Sequence, residues 1–87
     1  MIGKEIEAAL NNQISAEANS SHLYLAMASW AETRGFEGVS NFFYSQSDEE
    51  RQHMLKLVRY VNERGGHAKA PAVNEPSKMF DCLTHVF

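Results

Sequence analysis

The chain has 87 residues and a formal net charge of -3, and its four lysines and four arginines are scattered. That length allows one small domain, and the spread of cations excludes a basic patch for nucleic acid. The lone Cys82 excludes an internal disulfide or a C-x-x-C pair, and no apolar run approaches the roughly 18 residues of a membrane span. The N-terminal residues Met1 to Glu5 open into a charged amphipathic stretch rather than a signal peptide, so a cytoplasmic location is expected.

A first helix is expected over 2–34, where good helix formers run without proline. Ile6, Leu10, Gln13, Glu17, Ser20, Tyr24, Met27 and Ala31 recur at steps of four and three and so share one face. This stripe is apolar at its ends and polar in its middle. A second stripe, Ile14, Ala18, Ser21, Leu25 and Ala28, is also largely apolar. It reads as a contact with another subunit or, equally, as part of one broad core face.

Gly35 stands where a left-handed residue ends a helix, and the short connection folds the next helix back antiparallel. That second helix is expected over 38–64. Its stripe is Val39, Phe43, Gln46, Glu50, His53, Leu57 and Tyr60, again polar in the middle. Gly65 and Gly66 end it. Residues 65–76 carry Pro71 and Pro76 and read as an extended loop. At about 3.3 Å per residue such a loop reaches roughly 40 Å, the length of the hairpin. Ser77 is a suitable N-cap, and Met79, Phe80, Leu83, Val86 and Phe87 begin a third amphipathic helix over 77–87. The sequence ends within that apolar pattern, which reads as the end of a fragment of a larger subunit.

The chemistry is concentrated in Glu50 and His53. A Glu-x-x-His on a helix points both side chains the same way. Both fall in the inward stripe, where a charged carboxylate is costly unless paired or bound to a metal. In an antiparallel hairpin turning at Gly35 and Phe36, residues at one level have numbers summing to about 71, which brings Glu17 within roughly a turn of Glu50 and His53. Carboxylates and imidazole in a bundle core suit iron or manganese. Gln13 and Gln46 are expected to line the core. Trp30, Phe42, Phe43 and the methionines are expected to pack in the core or an interface. His22, His67 and His85 have no partner in this register and default to the surface.

Asn12 to Glu17, Ser21 to Met27, Glu49 to His53 and Tyr60 to Gly66 together resemble bacterial non-haem ferritin. The resemblance implies an all-α, ferritin-like antiparallel hairpin with a long crossover loop and the start of a third helix. A missing segment or a second chain would complete its four-helix bundle. It also implies a ferroxidase with a non-haem di-iron centre, storing and detoxifying iron. Such a protein oxidises Fe(II) with O2 or H2O2 and deposits ferric mineral in a cage. Under the resemblance Glu17 and His53 hold one iron and Glu50 bridges to a second. Tyr24 hydrogen-bonds near the site, and Glu49 belongs to an accessory iron site. The implied assembly is a homo-oligomer: a 24-subunit cage for a full subunit, at least a dimer otherwise. Two other readings stay open: a hairpin that assembles without catalysis, and a symmetric two-chain di-iron bundle of a rubrerythrin-like branch.

Overall fold

Glycine ends both helices of the protein in the same way. The computed structural model describes residues 2–75, in which α1 spans Lys4–Thr33 and α2 spans Glu37–Glu63. Gly35 has φ 79° and Gly65 has φ 83°, a backbone region where a Cβ is strained. After α1, the Phe36 N–H donates to the Ala31 carbonyl at 2.9 Å and the Gly35 N–H donates to the Glu32 carbonyl at 3.1 Å. After α2, Gly66 and Gly65 repeat this pattern on Val61 and Asn62. Both pairs are the double hydrogen bonds of a Schellman turn. The turn after α1 reverses the chain, and α2 packs antiparallel along it.

The described residues contain two α-helices and no strand. The expected third helix, with Ser77, Met79, Phe80, Leu83, Val86 and Phe87, lies outside the described residues, as do Cys82 and His85. Neither described helix is long and apolar enough to cross a membrane.

The seam between the helices differs from the expected one. The second stripe of α1 faces α2: Ile14, Ala18 and Ala28 are buried, whereas Ile6 of the first stripe is 59% exposed. Of its two readings, part of one broad core face is the one that fits, with Ala31 of the first stripe also buried; Leu25 stays exposed. Ile14, Ser21 and Ala28 are spaced by seven, and so are Ser40, Ser47, Met54 and Val61 on α2. Seven-residue spacing keeps two helices in register along one contact line.

Small hydroxyl residues hold this line together. The Ser21 Oγ donates to the Ser47 carbonyl at 2.7 Å, and the Ser47 Oγ donates to the Ser21 carbonyl at 2.7 Å. The buried Ser40 Oγ donates to the Ala28 carbonyl at 3.0 Å. Both pairings, 21 with 47 and 28 with 40, sum to 68 rather than 71. The difference is less than one helical turn, so it leaves the polar middles of the two helices level. Near the turn the Tyr44 hydroxyl donates to Glu32 Oε1 at 2.7 Å, and that carboxylate raises the phenol above its ordinary pKa.

The loop after α2 runs back along α1, as its length allows. The Asn11 carboxamide donates to the His67 carbonyl at 3.0 Å and accepts from the Lys69 N–H at 2.9 Å. Eight residues further along α1, Asn19 Oδ1 accepts from the Asn74 N–H at 2.9 Å. Asn62 Oδ1 accepts from the Ala68 N–H at 3.0 Å. Helix side chains thus supply hydrogen bonds that a neighbouring strand would otherwise give. Beneath the loop lies a cavity of about 300 Å³, lined by residues including Ala18, Leu25, Met54 and Pro71.

Two measurements check this packing. Ser47→Leu forces a larger side chain into the seam and is expected to cost about 1–3 kcal/mol. Ser47→Ala removes one hydrogen bond of a reciprocal pair and should cost about 1 kcal/mol. Urea midpoints read both, and a Leu variant as stable as the parent would contradict a closely packed seam. Asn11→Ala should speed hydrogen exchange of the Lys69 amide, and unchanged exchange would remove Asn11 as the clamp.

Candidate metal centre

Glu17, one turn beyond Gln13 on α1, sits at the level where α2 presents Glu50 and His53. One ligand atom from each of the three residues can be chosen so that all lie within 4.8 Å of one another. His53 Nδ1 is 3.6 Å from Glu17 Oε2 and 3.7 Å from Glu50 Oε2. Two ligand atoms on one metal ion, each about 2.1 Å from it, stand roughly 3–4 Å apart. The pairwise spacing therefore suits a shared cation. The site lies at the edge of the hairpin, with the side chains of Glu17, Glu50 and His53 16%, 23% and 51% exposed.

Burial and like charge strain the two carboxylates. Glu17 Oε2 is buried and has no hydrogen-bond partner. A proton on Glu50 relieves this. The Glu50–Glu17 hydrogen bond is the first cause that raises the Glu50 pKa and lowers the Glu17 pKa. Desolvation and the Glu17 charge push Glu50 further up, while Gln13 and His53 help hold Glu17 down. A cation beside the pair offsets the like charge that helps raise Glu50. The orphaned Glu17 oxygen and the oxygen–nitrogen donor set both fit a borderline divalent ion such as Fe(II).

Of the five residues expected in the site, the structure brings these three together. Glu49 is not among them: it is exposed, and its carboxylate accepts from Gln46 Nε2 at 3.3 Å. Tyr24 lies two turns along α1 from Glu17, where its ring stacks on Phe43 with centroids 6.0 Å apart. Gln13 does not line the core. It is exposed and donates from Nε2 to Glu17 Oε1 at 2.9 Å. The i, i+4 spacing of Gln13 and Glu17 was the signal in the sequence that could have paired them. Trp30 is buried as expected, but Phe42 is 57% exposed. His22 and His67 are on the surface.

Residues 7–87 match the model of the ferritin-like domain family. A bacterial non-heme ferritin of Staphylococcus aureus strain USA300 is 39% identical over all 87 residues, which cover 52% of that protein. An open-pore ferritin of Archaeoglobus fulgidus superposes with a TM-score of 0.88 at 41% identity, over 99% of this chain and 53% of the other. A ferritin of Chlorobium tepidum gives a TM-score of 0.83 at 40% identity, over 88% of this chain and 47% of the other. The chain thus spans about half the length of the relatives it matches.

Zinc, a redox-inert probe, tests the cluster. Glu17→Ala, Glu50→Ala and His53→Ala should each weaken Zn(II) binding by at least about tenfold in calorimetry, whereas Glu49→Ala should change it little. Equal losses at all four positions would dissolve the distinction drawn between the cluster and Glu49.

Proposed function

The chain belongs to the ferritin family, and from that premise we propose that it forms one side of a ferroxidase centre that oxidises Fe(II) for storage as ferric mineral. The observation that carries this reading is the convergence of Glu17, Glu50 and His53 on one point, with a buried carboxylate oxygen left unsatisfied. Fe(II) is the substrate. Glu17 and His53 bind one ion, and Glu50 bridges from it toward a second. The remaining ligands of the second ion belong to the rest of a complete bundle. Two Fe(II) ions give up one electron each, and together they reduce O2 to H2O2 with uptake of two protons. With H2O2 as oxidant, the same two electrons yield water.

The side chains favour this direction for an electrostatic reason. Ionised carboxylates around the metal stabilise Fe(III) more than Fe(II), because the attraction scales with the cation's charge. A cation held between Glu17 and Glu50 offsets the like charge of the pair, and its binding is favoured by the ionised form of both carboxylates. Imidazole nitrogen adds a neutral donor that leaves the carboxylates their charge.

The surroundings of the cluster support a larger assembly. Tyr24, Met27, Phe43 and Leu57 are only half-buried on the face that carries it. We read residues 1–87 as one portion of a single ferritin-like domain whose remaining helices cover this face. Self-association into a cage belongs to the same proposal, as does a cytoplasmic location, where reducing conditions keep iron in the Fe(II) form that the site takes.

Aerobic addition of Fe(II) tests the proposal directly. Oxidation should exceed the buffer control, and Glu50→Ala should slow it by more than about tenfold while leaving helicity intact. An unchanged rate in that variant removes Glu50 from the centre. No rate above the control leaves a hairpin that assembles without catalysis.

A further inference from the structure

We propose that Gln13 is a positioning residue that restricts Glu17 to one-oxygen ligation of the metal. The inference rests on the reading of Glu17 as a metal ligand. Gln13 Nε2 donates to Glu17 Oε1 at 2.9 Å. The other oxygen, Oε2, is the one that lacks a partner and lies 3.6 Å from His53 Nδ1. The two oxygens of one carboxylate are thus given different work. Oε1 is occupied by an amide from the same helix, and Oε2 is left bare toward Glu50 and His53.

A carboxylate with both oxygens free can rotate and grip one ion with both. Holding Oε1 fixes the carboxylate plane, leaves a single oxygen for the ion, and keeps coordination positions open for Glu50 and for oxidant. The residue type follows from the task. The donor must reach one helical turn, which sets the i, i+4 spacing. It must also be neutral, because an ammonium or guanidinium at this distance would repel the incoming cation. An acid would offer a second acceptor and no donor. Glutamine meets all of these requirements, and Gln13 is exposed. Partners that orient ligands in this way typically matter about 10–100-fold for metal affinity.

Zn(II) binding to the full chain tests the proposal by calorimetry and by infrared difference spectra with ¹³C-labelled glutamate. Gln13→Met keeps length and helix propensity but cannot donate. It should weaken Zn(II) binding about tenfold. It should also narrow the separation of the carboxylate stretches, as Glu17 turns to two-oxygen ligation, with circular dichroism unchanged. Gln13→Lys returns a donor and should restore the wide separation while affinity stays low through charge repulsion. Wild-type affinity and spectrum in Gln13→Met would overturn the proposal, and so would weaker binding without the spectral change. A parent chain that binds no Zn(II) would instead sink the metal-site reading on which it rests.

Discussion

The packing of the two helices along one seam, pinned by serine hydroxyls, is the constraint on which the rest of the structure depends. Ser21 and Ser47 each donate a hydroxyl to the other's carbonyl, and Ser40 does the same to Ala28. Each of these hydroxyls is satisfied by a carbonyl of the opposite helix, so burying it costs little. Bulky residues in place of Ser21, Ser40 or Ser47 would widen the gap between the helix axes, because interaxial distance follows the side chains at the contact. Short acidic side chains such as Glu17 and Glu50 could not then meet across the gap. The seam therefore sets the spacing of the cluster.

The cluster is a deliberate electrostatic imbalance built on that geometry. Two carboxylates and an imidazole at the edge of an apolar pair would ordinarily be solvated apart. Here Glu17 has one oxygen buried without a hydrogen-bond partner, and the Glu50 pKa is raised, first by the hydrogen bond that a protonated Glu50 would give Glu17. Stability given up locally in this way is common where a site must bind rather than merely persist. The helices tolerate it because both ends are closed independently, by the glycine turns and the loop.

Much of this was legible in the sequence. Gly35 and Gly65 fixed the helix ends, since few other residues accept their backbone angles. The polar middles of two apolar stripes located Glu17, Glu50 and His53, and an error of three in register left them level because a helical turn is longer than that. The seam was harder to read. Ile14, Ala18, Ser21 and Ala28 look like a weaker stripe than the one holding Ile6, Leu10 and Tyr24, because hydrophobicity grows with size whereas close packing favours smallness. Ser40 and Ser47 carry no apolar signal at all, and their spacing of seven shows its meaning only beside its partner on α1. Gln13 was placed in the core by periodicity, which reports a face but not which edge of it meets water.

The asparagine clamps have a consequence for how this protein can change over generations. The course of residues 67–74 is held through backbone groups, by side chains rooted in the helices at Asn11, Asn19 and Asn62. The path of the loop is therefore written in the helices, and its own side chains are largely released from specifying it. Lys69 and Asn74 are exposed and are held through their backbone amides, so their side chains can be exchanged without redrawing the route. The outer surface along α1 can then diverge, acquiring new charge or new contacts, while the Glu17, Glu50 and His53 cluster stays where it is.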